Sequence, residues 1–338
     1  MGIIAKQAIL LILCFISFSS FPCNASSPEE KIFRKSRVIM GTSVEIVVSQ
    51  AEGKKAEEAL EAGLREVQRI DSLMSNYREE SELSRVNRNA GKKGTKVSPD
   101  MLRVIRRALE FSSLSAGAFD VTIAPVFRLW NFREGKIPDE KSLREHLKKV
   151  DYRKIKIDHA GSSLFLQEQG MEIDLGAIAK GYAADCASAV LKEKGIENFL
   201  INTGGDLKVN GSKAKGTAWT IGIRHPRLPA QMIAKLRPRQ AGVATSGDYE
   251  KFFMQGGERY HHLLNPSTGM PAKECQSVTI MAPDAMDADA LATVVFVLGP
   301  KKGLSLLERM TDVHAIIVDR RGSVLLSPKW PDGILLPP

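Results

Sequence analysis

Cysteine is scarce in this chain: four in 338 residues, with Cys14 and Cys23 both in the N-terminal leader region. Only Cys186 and Cys275 remain, enough for one disulfide and too few for a disulfide framework. Cys186 lies in a helical pattern among alanines, where a buried thiol is the commoner outcome. Low-complexity tracts, fixed-period repeats and linkers longer than a few residues are absent. A substantial core is therefore expected, as one large domain or two intertwined lobes. No aromatic-basic stripe is present, which argues against nucleic acid as a partner. The formal charge of +9 is spread through the chain, and runs such as Arg144–Lys149 are interleaved with acids, as on a solvated basic surface. Dinucleotide fingerprints, HExxH zinc sites and GxSxG elbows are missing. Gly91–Lys96 has the wrong glycine spacing for a phosphate loop and reads as a turn.

What is present begins with a secretory layout. Met1–Lys6 carries one positive charge, residues 8–18 are mostly apolar, and small residues lead to Asn24-Ala25-Ser26. The apolar run is too short and wrongly flanked for a stable membrane span. A signal peptide over 1–25, cleaved after Ala25 with Cys23 lost, fits the small-residue rule. The rival is lipidation of Cys23, as in a lipoprotein attached to the inner membrane, although Phe21-Pro22 makes a poor lipobox. On either reading the chain is exported to the periplasm. Residues 26–36 are expected to be a flexible segment ahead of a domain over 37–330.

Residues 36–49 alternate through Val38, Met40, Thr42, Val44, Ile46 and Val48, which predicts one half-buried strand. A helical period follows over 53–74, and Ser98-Pro99-Asp100 opens a second helix. Further strands are expected at 155–158, 163–167, 171–174, 199–202, 207–210, 218–224, 242–245, 258–264 and 277–281. Helices are expected over 177–193, over 287–298 stopped by Gly299-Pro300, and over 301–310, with a hairpin at 313–326. Strand runs with helical excursions indicate α+β rather than a doubly wound parallel sheet.

Chemistry concentrates at two places. Residues 173–185 read as a strand end that breaks at Gly176 and restarts as a helix carrying Lys180. Free backbone N–H groups, a positive helix end and an ammonium together suit a phosphate. Asp289 and Thr293, four residues apart, share one helix face. Hard oxygen ligands beside a phosphate cradle point to a magnesium-dependent phosphoryl site. His261 and His262 are strand neighbours on opposite faces, so one metal does not readily take both. His262, just before Leu263–Gly269, is placed to act as a general base near neutrality. Gly117–Asp120 reads structurally as a helix-ending glycine before a strand; functionally, the flat Phe119 ring and Asp120 suit an aromatic, hydroxylated ligand. Asp71–Tyr77 ends a helix with an exposed aromatic, and Asn202–Asp206 is a turn whose backbone can approach a ligand closely.

The order of these motifs resembles the FAD:protein FMN transferase family, the ApbE family of bacterial flavin transferases, from about Arg37 to Leu326. Seven motifs carry it: Met40–Thr42, Asp71–Tyr77, Gly117–Pro125, Asp174–Tyr182, Asn202–Asp206, His262–Gly269 and Asp289–Thr293. The resemblance implies an α+β fold of mixed and antiparallel sheets with packed helices, T-fold-like, in a two-lobed single domain. It implies that FAD is cut at its pyrophosphate, FMN passing to a threonine or serine hydroxyl of acceptor flavoproteins, such as redox-pump subunits, while AMP leaves. Carried over by position, Met40, Tyr77, Ala118, Phe119, Asp120, Asp174, Lys180 and Leu263 contact FAD. Backbone oxygens of Ala177 and Ala292, with the side chains of Asp289 and Thr293, bind Mg²⁺. His262 is the base, and Lys180 stabilises charge. Many members have aspartate where this chain has Asn265. With water as nucleophile the same site would be an FAD pyrophosphatase, and without chemistry an exported FAD-binding protein.

Overall fold

Alternating burial builds the central sheet. In the strand Thr42–Gln50, Val44, Ile46 and Val48 are fully buried on one side. The computed structural model describes residues 31–50, 52–158, 160–213 and 216–336; the expected leader, with Cys14, Cys23 and Ala25, lies outside the described residues. Eight strands pair antiparallel, in the order Lys31–Ile39, Thr42–Gln50, Phe199–Thr203, Leu207–Asn210, Gln240–Gly247, Cys275–Ala282, His314–Asp319 and Val324–Leu326. The antiparallel α+β expectation holds.

The single strand expected over 36–49 is instead two strands of a hairpin. Ile39 pairs with Thr42 across a two-residue loop in which Met40 and Gly41 have φ of 55° and 69°. Positive φ at both positions is the turn whose twist matches a hairpin. Alternation runs straight through this loop, so the period alone could not reveal it. The first strand begins at Lys31, inside the stretch expected to be flexible.

Three helices, Gly53–Met74, Ala179–Glu193 and Ala285–Leu307, pack on one sheet face and enclose the main core of Ile46, Leu64, Leu191, Val278, Leu291 and Phe296. The last helix is apolar along most of its length because it is buried on several sides, and it kinks at Gly299 rather than ending there. Its first N–H groups, on Ala285 and Met286, donate to the Asp185 carboxylate of the neighbouring helix at 3.0 and 2.9 Å. Those two helices cross closely at Gly181, where a Cβ would stand 2.1 Å from the Ala285 carbonyl oxygen.

Against the opposite face sits a three-stranded sheet ordered Leu335–Leu336, Met232–Leu236, Ile221–Arg224, with Trp219, Ile221, Ile223 and Leu236 packed on Val209 and Val243. The strand Met232–Leu236 was not anticipated, nor was Phe252–Gln255, which pairs with Glu258–His261. The strand expected at 171–174 reduces to one isolated bridge, Ile123 to Glu172. A stack of Trp130 on Phe132 and of Phe253 on Tyr260 ties the 252–261 hairpin to the segment around Val126. Cys186 and Cys275 are both free thiols.

Candidate functional site

A cleft of about 1120 Å³ opens where the Met40-Gly41 turn, the Gly204–Leu207 turn, the start of the Ala179–Glu193 helix and the strand Ile221–Arg224 meet. Met40, Tyr77, Ala118, Phe119, Asp120, Asp174, Ala177, Lys180, His262, Leu263, Asp289 and Thr293 all border it. Ala292, the remaining expected ligand, is buried in mid-helix, where a carbonyl ordinarily serves the N–H four residues on.

At its floor two buried carboxylates share one ammonium. Lys180 Nζ is paired with Asp206 and lies 3.8 Å from Asp289 Oδ1, while Asp289 Oδ2 accepts the Gly181 N–H at 3.1 Å. Burial, reinforced by the Asp206 charge, pushes Asp289 up to about 7 although Lys180 opposes the rise. Burial also raises Asp206 against the pull of Lys180. Burial works against the Lys180 charge too, but the two carboxylates hold it above the ordinary lysine range. Such a pocket is short of positive charge.

The residues present fit a hard divalent cation. Asp289 and Thr293 face the same cleft, as their spacing requires, with Thr293 Oγ1 3.2 Å from Ser246 Oγ. The Gly181 N–H is given to Asp289, and among the described residues no backbone N–H donates to the Ala177 carbonyl four residues back. That oxygen is left available. No group of three or more His, Cys, Asp or Glu suited to a metal occurs among the described residues. A cation here must therefore draw on hydroxyl and main-chain oxygens, donors that suit magnesium.

The two histidines differ in placement: His261 ends the strand Glu258–His261, and His262 lies just beyond it rather than on the strand expected over 258–264. His261 is buried, its Nε2 2.8 Å from the Ala272 carbonyl, while its Nδ1 accepts the Leu263 N–H at 3.3 Å. Both ring nitrogens are spent on structure. His262 Nδ1 is shut off from solvent with no partner, and its main-chain N–H donates to the Lys251 carbonyl at 3.1 Å. Burial, with His261 and Lys251 nearby, lowers its pKa to about 4, so the ring is neutral at ordinary pH. Nε2 is the nitrogen left to meet a ligand. Asn265 does not orient this ring: its Oδ1 accepts from the Ser267 N–H and hydroxyl at 3.0 and 2.9 Å within its own turn.

Phe119 borders the cleft, yet its ring is a core member packed edge-on against Phe111, so it offers no open flat face. Asp120 accepts from the Thr122 N–H and hydroxyl and from the Tyr152 N–H, and burial raises its pKa against those bonds. Its carboxylate first organises two loops. Tyr77 is the reverse case, 91% exposed with its ring unpacked at the cleft wall. Asp174 accepts from the Gly176 N–H at 2.6 Å and from Asn76 Nδ2 at 2.9 Å, which fixes the strand break before Lys180. Sequence reasoning missed Asp206, Asn76 and Ser246 as members of the site. Asp206 was read only as the end of a turn; a carboxylate directly after Gly-Gly was the available signal.

Known proteins resemble this chain in sequence and in fold. The model of the ApbE family matches residues 40–317 of this chain. A protein named FAD:protein FMN transferase from Klebsiella pneumoniae (strain 342) is 33% identical over 303 residues, 88% of this chain and 93% of that protein. One of the same name from Treponema pallidum (strain Nichols) is 34% identical over 305 residues, 85% of this chain and 84% of that protein. The crystal structure of the ApbE protein from Thermotoga maritima superimposes with a TM-score of 0.81 at 34% identity, covering 88% of this chain and 97% of that one. The structure of the flavin transferase ApbE from Vibrio cholerae gives 0.78 at 29% identity, covering 88% and 96%. With most of its length matched in sequence and in fold, the chain belongs to the ApbE family.

Proposed function

We propose that this protein transfers the FMN moiety of FAD to a threonine or serine hydroxyl of acceptor flavoproteins, with Mg²⁺, outside the cytoplasm. One observation carries the reading. A neutral imidazole with no protein hydrogen bond on Nδ1, an ammonium paired to a buried carboxylate, and an oxygen donor set all face one cleft of about 1120 Å³. The names of the relatives support the same reaction. The leader expected over 1–25 supports export, and lipidation of Cys23 would add attachment to the inner membrane.

The residues then divide the work. Tyr77 presents an aromatic face on which a flavin ring can stack. Lys180, steadied by Asp206, meets the negative charge of the diphosphate. Asp289, Thr293 and the carbonyl oxygens of Ala177 and Ala292 would hold Mg²⁺, which would supply further charge neutralisation there. His262 Nε2 takes the proton of the acceptor hydroxyl as its oxygen forms a bond to the FMN phosphorus. The bridging P–O bond breaks and its electron pair leaves with AMP.

The test is direct. The mature protein, FAD, Mg²⁺ and an acceptor flavoprotein should give an acceptor heavier by one FMN and covalently fluorescent. FMN and AMP appearing with no labelled acceptor would make the protein a pyrophosphatase. FAD that stays bound and intact would make it a carrier.

A further inference from the structure

The three-stranded sheet treats its two edges differently. Leu335 pairs with Leu236, and the Arg237 N–H donates to the Ile334 carbonyl at 2.9 Å, so the chain's own C-terminal strand closes one edge. At the other edge Ile221–Arg224 pairs, among the described residues, only with Met232–Leu236, and all four of its residues line the cleft. Ile221 and Ile223 are buried in the core below, while Gly222 and Arg224 are exposed. An open strand edge is a template for another strand, and proteins usually blunt or cover it. Here it is left open beside the reacting groups.

This edge leads to His262 by short steps. Arg224 Nη2 is 2.6 Å from Glu250 Oε1, and the carbonyl of the next residue, Lys251, accepts the His262 N–H at 3.1 Å. Charge adds a preference. Arg227 grips the buried Asp248 with two bonds, Arg259 approaches the same carboxylate at 4.0 Å, and Lys251 is exposed at the cleft. Of these groups Arg224, Lys251 and Glu250 line the cleft beside the strand, two cations to one carboxylate, a local excess complementary to an acidic segment.

We propose that the acceptor protein enters as an extended, acidic segment that adds to Ile221–Arg224 as a further β-strand, delivering its hydroxyl side chain to His262. This rests on the flavin-transfer reading and names how the protein substrate is held; the bonds made and broken are those given above.

Short linear peptides, randomised around one central threonine, test it with the whole protein, FAD and Mg²⁺. Peptides that become flavin-labelled are resynthesised with an N-methyl group at each amide in turn. Only alternate N–H groups of a strand face one neighbour. Methylation at every second position should therefore cut kcat/KM for the peptide by about tenfold or more, and intervening positions should change it by less than about twofold. Labelled peptides should be enriched in Asp and Glu, and amide exchange of 221–224 should slow when peptide is added. Uniform sensitivity along the peptide, without exchange protection at 221–224, overturns the docking mode. Labelling of a folded acceptor flavoprotein but of no linear peptide means that a folded surface is recognised, so the strand proposal falls and the transfer reading stands. If FAD neither binds nor reacts, the transfer reading falls and takes this inference with it.

Discussion

His262 and Asp289 line one cleft and depend on opposite outcomes of the same force. Burial strips charge from both: it holds the imidazole neutral with a pKa near 4 and lifts the carboxyl to about 7. A neutral imidazole is what a proton acceptor requires, whereas a metal ligand must ionise. His262→Ala should leave FAD affinity within about twofold and slow transfer by about 10²–10³. Full activity in that variant would clear His262 of the base role. Asp289→Ala should reduce turnover by a similar ~10²–10³ and abolish its Mg²⁺ dependence, with FAD binding weakened less. The pH dependence has a definite sign. Asp289 binds its proton more tightly folded than unfolded, so at this site the metal-free protein gains stability as pH falls from about 7 toward the ordinary carboxylate range. Mg²⁺ bound as proposed would have to displace that proton, so its affinity should weaken about tenfold for each pH unit below about 7. Calorimetric titration with Mg²⁺ at several pH values, alongside melting curves, checks both. Affinity that is flat from pH 5 to 8 would remove Asp289 from the donor set.

Two elements hold conformations that sequence pattern alone disfavours. In the hairpin from Lys31 to Gln50, a methionine occupies a left-handed turn position where asparagine or glycine is the economical choice. Met40 borders the cleft, so the strain is kept where a ligand is expected. Met40→Gly should raise stability by about 1 kcal/mol, read as a rise in Tm, while weakening FAD binding. A drop in both would mean that the side chain holds the hairpin in place. At Gly181 the obstacle to a side chain is main chain, the Ala285 carbonyl, which cannot rotate away. Gly181→Ala should cost about 3 kcal/mol, the upper end for overpacking, and should also disturb the N–H that fixes Asp289. Normal stability in denaturant would show that the crossing has slack.

The whole molecule shows how far each level of description reaches. Helices at 53–74 and from Pro99, and most strands, were legible because burial on one face imprints a period on the chain. Asp289 and Thr293 were legible for the same reason, since a helix turns four residues onto one side. The strands 232–236 and 252–255 were not: the first is closed on one side by the distant Leu335–Leu336, and the second, although its partner 258–261 follows directly in the chain, is mostly exposed and has almost no alternation of its own. Asp206 was opaque because nothing local marks it: its partner Lys180 is 26 residues away, and only folding puts the two together out of water. The open face expected of Phe119 failed likewise, since Phe111, which covers the ring, comes from the preceding helix. Chain order alone therefore determined the elements, the family resemblance and the kinds of group available for catalysis, because those depend on period, spacing and residue chemistry. Tertiary structure decided which groups lose water, which carbonyl and which imidazole nitrogen go without partners, and which strand edge stays open. Those outcomes depend on what packs beside each group, and packing joins residues that the chain keeps far apart.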